Sequence, residues 1–234
     1  MRARGRAGKP DRRRKGAIRA AAWASGIALA GLSIGVGAQQ TGQGDHPEPG
    51  LTEHLTLTHP GQLDAAAAEA VYLDLVDEMA ARYRISGDPV AEAYLDWPRF
   101  NTAPYLSALH GNRYVNNYGN ARADAYGRFE DVGTLPEGAV VVKDSFAVTD
   151  RGDVFTGPLF VMEKMPPGFN PAGRDWRYTM IMPDGSLFGT TNGDGSARVE
   201  FCVTCHRAAG DDRDHLFFLP QEYRRRFLGA PAGP

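Results

Sequence analysis

Cysteine is nearly absent from this chain of 234 residues, which contains only two, Cys202 and Cys205. A disulfide between them would close a very short loop and add little stability. A thioredoxin-like C-x-x-C should open a helix after a strand in a βαβ unit, which this region does not resemble. A zinc site needs four ligands, and only one further histidine, His215, lies nearby. The two cysteines therefore need another explanation.

Positive charge is scarce outside the N-terminus. Of the 26 basic and 28 acidic residues, nine basic and one acidic lie in residues 1–38, so residues 39–234 hold 17 basic and 27 acidic residues, a net charge of −10. An acidic surface repels nucleic acid and anionic lipid. The composition therefore predicts no nucleic-acid partner and favours small partners that are cationic or neutral.

A long uncharged apolar run occurs near the N-terminus, after the basic stretch MRARGRAGKPDRRRKGAIR. The run AAAWASGIALAGLSIGVGA ends in a small-residue cleavage pattern at Ala38, which predicts a cleaved signal peptide at residues 1–38 and a periplasmic protein. The alternative is an uncleaved membrane anchor, because the run is just long enough to span a bilayer. It is rich in Gly and Ala and poor in Leu, which favours cleavage. Residues 39–62 are predicted to form a flexible leader and residues 63–234 the folded domain.

Cys202, Cys205 and His206 stand together in the stretch FCVTCH. The sequence C-x-x-C-H is the attachment motif for c-type haem. Two thiols at i and i+3 lie on one side of a helical turn, so both can reach the vinyl groups on one haem edge. The next residue presents an imidazole to the iron. The motif therefore predicts one covalent haem c, held by Cys202 and Cys205, with His206 as the proximal iron ligand.

Methionine is absent after His206. Small electron-transfer cytochromes c usually carry the motif near the start of the chain, with a methionine further on as the sixth iron ligand. Here the iron must find a sixth ligand upstream or leave that position open. An open position indicates ligand binding or catalysis rather than electron transfer alone.

The apolar pattern of the predicted domain changes along the chain. Residues 63–84 repeat apolar side chains at helical spacing, which predicts an amphipathic helix. A shorter helical piece runs to Trp97, and residues 101–130 predict loops with short helical turns. From Leu135 onward, four apolar or β-branched runs separated by turns predict strands. This order predicts an α+β domain: a mainly antiparallel β-sheet with flanking N-terminal helices and haem packed against the sheet near the C-terminus.

Four segments in this order resemble the cytochrome P-460 and cytochrome c′-beta family: EGAVVVKDSF, GPLFVMEKM, DWRYTMIM and FCVTCH. The likeness covers residues 95–225. It implies a mostly antiparallel β fold, usually a homodimer, with a high-spin haem whose iron is bound on one side by histidine. The cytochrome P-460 members oxidise hydroxylamine and bind nitric oxide. The resemblance therefore implies a small nitrogenous ligand and a redox partner such as a small cytochrome. Because residues 39–234 carry a net negative charge, we expect that redox partner to be basic.

The family resemblance assigns a special role to Lys143. In the cytochrome P-460 members a lysine side chain is bonded to a haem meso carbon, and Lys143 matches that lysine. On a strand it would share its face with the small residues Ala139, Ser145 and Ala147, where a flat macrocycle has room to lie close. Burial would lower the pKa of the Lys143 amine and leave it neutral and able to form the bond. The alternative is a lysine that extends into solvent at a sheet edge.

The resemblance also implies a distal carboxylate that assists proton removal in the hydroxylamine-oxidising members. Glu163 lies near that position and is the predicted catalytic residue. The spacing from Glu163 to Trp176 is shorter than expected, and Phe160 aligns instead if no gap is allowed. A distal phenylalanine would resemble the gas-binding members, and Glu163 would then be a surface partner of Lys164.

Three functions therefore stay open. The first is hydroxylamine oxidation, and the second is nitric oxide binding without turnover. The third, electron transfer alone, needs a sixth protein ligand on the iron. Other candidate side chains are interpreted structurally: Met162 and Met165 as core residues, His110 as a loop histidine bonded to backbone, and His215 as a surface residue.

Overall fold

The computed structural model describes residues 56–226. The predicted signal peptide lies outside the described residues, as do residues 39–55 of the predicted leader and residues 227–234 of the predicted domain. Between residues 56 and 226, no helix combines the length and apolar character needed to cross a bilayer.

The described chain begins with helices and continues mainly with strands. The three α-helices are α1 (Ala65–Tyr83), α2 (Pro89–Ala93) and α3 (Glu200–Arg207). The strands are β1 (Tyr105–Ser107), β2 (Arg113–Gly119), β3 (Val140–Val148), β4 (Val154–Thr156), β5 (Leu159–Lys164), β6 (Trp176–Ile181) and β7 (Leu187–Thr190). Short 3₁₀ helices connect them at Arg84–Ser86, Tyr94–Asp96, Ala108–His110, Ala121–Asp131, Pro171–Gly173, Ser196–Val199, Asp211–Arg213 and Gln221–Tyr223.

Helix α1 confirms the amphipathic helix predicted for residues 63–84. Its first turn is capped by Asp64, whose Oδ1 accepts a hydrogen bond of 2.8 Å from the backbone N–H of Ala67. This bond satisfies one of the N–H groups that a helix start leaves without a partner. The buried face of α1 includes Tyr72, Met79 and Tyr83, which pack on the sheet.

The sheet has seven strands, and every pairing in it is antiparallel. The order is β1-β2-β3-β5-β6-β7, and β4 pairs with the far end of β3 beyond β5. The four strands predicted after Leu135 are β3, β5, β6 and β7. The antiparallel sheet with helices against it confirms the predicted α+β class.

Strands β1 and β2 correct the prediction of loops and helical turns for residues 101–130. Asn116 and Asn117 have low strand propensity, but both are fully buried in β2. The Nδ2 of Asn116 donates 3.0 Å to Asp144 on β3, and the Nδ2 of Asn117 donates 2.8 Å to the hydroxyl of Tyr126. Tertiary hydrogen bonds thus stabilise a strand that local pattern does not reveal.

The two faces of β3 belong to two different cores. Val140, Val142 and Phe146 face α1, in what we call the helix face of the sheet. Val141 faces the opposite way, in what we call the cavity face, and packs near Trp176 of β6 and residues of α3. Since side chains alternate along a strand, Lys143 lies on the cavity face and Asp144 on the helix face.

Candidate haem-binding site

A cavity of about 980 Å³, counting the part that is open to solvent, lies over the cavity face of the sheet. Strands β3, β5 and β6 form its floor, α3 forms one wall, and the turn Ala108–His110 forms another. The comparable enclosed volume is about 140 Å³, below the about 300–1,000 Å³ of common small-molecule sites, so a large ligand would extend through the open side of the cavity. It contains four of the predicted site residues, which are Lys143, Cys202, Cys205 and His206.

Helix α3 carries the C-x-x-C-H motif and presents both thiols to the cavity. Neither Cys202 nor Cys205 forms a disulfide, and both line the cavity wall. Burial, and to a smaller degree the nearby Cys205, raises the pKa of the Cys202 thiol to about 12. The helical placement predicted for the motif is confirmed. It puts the sulfurs of Cys202 and Cys205 on one side of a single helical turn.

His206 is buried at the same wall, with its ring against Tyr178 and Phe217 at centroid distances of 5.2 and 5.5 Å. Its Nδ1 lies 2.9 Å from the backbone carbonyl oxygen of His215. A carbonyl can only accept, so Nδ1 carries the proton and Nε2 keeps its lone pair. Burial, followed by the charge of Lys143, lowers the pKa of His206 to about 3. The imidazole is therefore neutral and has the tautomer of an Nε2 iron ligand.

The carbonyl that orients His206 is held by an unusual turn. Asp214 and His215 both have left-handed backbone, with φ of 52° and 60°. Asp214 is fully buried, and its Oδ1 accepts from Lys164 Nζ at 2.5 Å and from Arg174 Nε at 3.2 Å. These charged partners hold a turn that would otherwise be strained. The surface position predicted for His215 is wrong, since this residue is only 3% exposed.

Lys143 lies in the middle of the cavity floor. It is paired across the sheet with Asn117 of β2 and Phe160 of β5, so it is not at a sheet edge. The residue is 7% exposed, and within residues 56–226 its amine has no hydrogen-bond or ion-pair partner. Burial lowers its pKa to about 8, against a smaller opposing effect of Cys205. The amine is thus easily deprotonated, as the lysine of the resemblance requires.

Glu163 and Phe160 lie on the same strand but face opposite ways. Phe160 lines the cavity beside Lys143. Glu163 is paired with Val140 on the helix face, and its carboxylate forms an ion pair with Arg177 rather than with Lys164. The structure does not bring Glu163 to the cavity, so its predicted role as distal base has no geometric support in this arrangement.

His110 is the cavity residue whose importance the sequence did not reveal. It was interpreted as a loop histidine bonded to backbone, but its Nδ1 bonds to the side chain of Ser107 at 2.8 Å. Its ring lies edge-on to that of Phe160, with centroids 5.0 Å apart, and it lines the cavity. The missing signal is tertiary: a 3₁₀ turn between β1 and β2 brings this histidine over the sheet.

Polar atoms without partners also mark the cavity. Among the described residues, three buried side-chain nitrogen or oxygen atoms lack a hydrogen bond, and two of these, Tyr178 Oη and Arg113 Nε, belong to residues that line it. Buried donors are normally satisfied, so these two indicate a ligand with acceptor atoms. Haem has two carboxylates, whose oxygen atoms are acceptors of this kind. No group of three His, Cys, Asp or Glu that could hold a bare metal ion occurs in residues 56–226.

Comparison of the sequence with models of known protein families and with curated proteins found no match. The resemblance to the cytochrome P-460 and cytochrome c′-beta family therefore depends on the residues of this chain and stays a prediction. What the cavity provides is a donor set that fits haem c: two thiols, one oriented imidazole, and two donors without partners.

Proposed function

We propose that this chain is an exported c-type haem protein with an open distal iron position, which oxidises hydroxylamine and passes the electrons to a redox partner such as a small cytochrome. The observation that carries the proposal is the meeting of Lys143 with Cys202, Cys205 and His206 in one cavity. Nothing in the packing of a hydrophobic core requires an amine, two free thiols and a histidine in the same space.

The residues have distinct tasks in this proposal. Cys202 and Cys205 would hold the haem edge, and His206 would bind the iron through Nε2, while the His215 carbonyl fixes the His206 ring. When bound, the haem supplies an iron centre that accepts electrons and offers a coordination position to a small ligand. Phe160 and Leu109 give the remaining space an apolar lining.

Lys143 is proposed to be bonded to a haem meso carbon. Successive residues on one strand face are about 7 Å apart. Val141, Met162 and Tyr178 are paired across the sheet and form one row of the cavity floor, and Tyr178 lies beside His206. Lys143 lies in the next row, one such step from Val141. The neutral amine is the nucleophilic form. Joining the nitrogen to the carbon would break one N–H and one C–H bond and release two protons and two electrons, so the bond would require an external two-electron oxidant such as a peroxide, which would be reduced to water.

Nitric oxide capture without turnover is the second candidate. The position of Phe160 in the cavity, with Glu163 turned away, favours it. An apolar distal side binds a neutral gas without needing a proton acceptor. Electron transfer alone would need a sixth iron ligand, and Met162 and Met180 on the cavity floor are thioethers that a spectrum would reveal.

The experiment uses the full chain, produced in a bacterial host that exports proteins and attaches haem c. We expect the purified protein to come from the periplasm, to retain haem in acidified organic solvent, and to show a high-spin ferric spectrum. It should reduce an added electron acceptor when hydroxylamine is supplied. Ligand binding without turnover would support nitric oxide capture, and a low-spin spectrum unresponsive to added ligands would support electron transfer. Haem that is extracted into the solvent would contradict the proposal.

A further inference from the structure

His110 is held in a defined orientation at the cavity wall formed by the turn Ala108–His110. The Ser107 hydroxyl lies 2.8 Å from its Nδ1, and the ring of Phe160 lies edge-on beside it. The other ring nitrogen, Nε2, has no hydrogen-bond partner among residues 56–226. The imidazole is therefore fixed on one side and free on the other, which is the arrangement of a group that acts on a ligand.

His110 and His206 contact different strand residues on the floor of the cavity. His206 packs against Tyr178, in the row of Val141, whereas His110 packs against Phe160, in the next row with Lys143. These rows are about 7 Å apart along the strands. The two histidines thus contact neighbouring rows of the cavity floor, and only His206 belongs to the helix that carries the thiols.

We propose that His110 is the distal proton acceptor of this cavity, taking a proton through Nε2 from a protic ligand such as hydroxylamine. The inference rests on the proposed function, since it concerns a ligand beside the haem. In the step, the hydrogen–nitrogen bond of the ligand breaks, its electron pair stays on the ligand, and the proton moves to Nε2. No oxidant is needed for this step. Ser107 is a positioning residue, because its hydroxyl lies 2.8 Å from Nδ1; in the tautomer in which Nδ1–H donates to that oxygen, the lone pair stays on Nε2.

The other ionisable groups around His110 do not suit this task. Arg113 stays protonated and can only donate. Burial, followed by the charges of Lys143, His206 and Arg113, lowers the pKa of His110 well below its ordinary value; the imidazole is therefore neutral with a lone pair, although it is a weaker base than a free histidine. Lys143 is assigned to the cross-link, and Glu163 lies on the other face of the sheet. His110 is thus the basic group that geometry leaves for a distal ligand.

The test compares two probes with the ferric holoprotein. Hydrogen cyanide must lose its proton to bind iron as cyanide, whereas nitric oxide binds without losing one. General base assistance is commonly worth about 10²-fold or more. We therefore expect His110→Gln to slow cyanide association about 100-fold and to leave nitric oxide association nearly unchanged. His59→Gln is the matched control, because His59 is an exposed histidine outside the cavity.

Ser107→Ala provides a second variant that keeps His110 in place. Losing one neutral hydrogen bond should slow cyanide association about fivefold. Equal cyanide rates in the parent, His110→Gln and Ser107→Ala would overturn the inference while leaving the proposed function intact. Equal slowing of both probes would also overturn it, since that result indicates a steric role. A parent that lacks covalent haem would instead remove the proposed function, and the inference with it. A low-spin parent spectrum that becomes high-spin in His110→Gln would make His110 an iron ligand and would overturn the inference too.

Discussion

Lys143 and Asp144 are neighbours on β3, yet they point to opposite faces of the sheet and have very different surroundings. Asp144 is fully buried on the helix face, where it accepts from Tyr72 at 2.7 Å and from Asn116 at 3.0 Å. Lys143 is buried on the cavity face with no hydrogen-bond or ion-pair partner in the described chain. Burial shifts both pKa values toward the neutral form, raising that of Asp144 to about 6 and lowering that of Lys143 to about 8.

The comparison separates two uses of a buried ionisable group. On the helix face the protein itself supplies the partners, so the polar cluster is complete and contributes to one well-defined packing. On the cavity face, within residues 56–226, Tyr178 Oη and Arg113 Nε have no hydrogen-bond partner, and neither does the amine of Lys143. Groups without partners are costly to bury, and they are expected where a ligand completes them.

Removing both thiols should have the largest effect of the variants considered. It should abolish haem attachment on the cavity face and leave the helix face unchanged. We expect Cys202→Ala combined with Cys205→Ala to abolish covalent haem, because no other thiol exists in the chain. The measurement is haem absorbance retained by the denatured protein, with circular dichroism to follow the fold. Haem retained by the double variant after denaturation would show that attachment occurs elsewhere.

Removing the carboxylate of Asp144 should damage the helix face severely. Asp144→Leu leaves the donors of Asn116 and Tyr94 buried without an acceptor and leaves Tyr72 with only the hydroxyl of Tyr118, so we expect the free energy of unfolding to fall by about 4 kcal/mol. Urea unfolding at pH 7 measures it. Haem attachment in the remaining folded protein should be normal, and a selective loss of haem would erase the distinction between the two faces.

Removing the amine of Lys143 should stabilise the haem-free protein. Its folded-state pKa of about 8 lies below the ordinary 10.5, so folding costs free energy once the amine is protonated in the unfolded chain. The contribution of the Lys143 amine to the free energy of unfolding is close to zero above pH 10.5. It becomes increasingly unfavourable as the pH drops toward 8 and stays level below that pH. At pH 7 we expect Lys143→Met to gain about 3 kcal/mol.

This stability measurement uses urea unfolding in the background without Cys202 and Cys205, at pH 7 and again at pH 10. The advantage of Lys143→Met should shrink at the higher pH. Lys164→Met is the matched control, since it removes the partner of the buried Asp214 and should destabilise the protein instead. A loss of stability in Lys143→Met would indicate that the amine has a partner after all.

Removing the charge of Glu163 should have the smallest effect. Its ion pair with Arg177 is partly exposed, and such pairs contribute about 0–1 kcal/mol. We expect Glu163→Gln to change neither haem attachment nor the rate of hydroxylamine oxidation. A large loss of turnover in this variant would restore Glu163 as the catalytic residue and would require the carboxylate to reach the cavity.

The sequence predicted the parts of the fold that depend on local pattern. The α1 helix, four of the five strands after Leu135 and the helical setting of the C-x-x-C-H motif follow from spacing and turn residues. Strand β2 was missed because Asn116 and Asn117 are stabilised by partners distant in sequence. His110 was misread for the same reason: its position over the sheet depends on a turn between two strands that were not predicted.

One measurement tests the central claim most directly: protease digestion of the denatured holoprotein, followed by the mass of every fragment that absorbs as haem. We expect a single haem-absorbing species that joins two peptides, one containing Lys143 and the other containing Cys202 and Cys205. A haem-absorbing fragment with only the cysteine peptide would contradict the cross-link and leave an ordinary c-type haem. A digest in which no fragment carries haem would contradict the assignment of the cavity as a haem site.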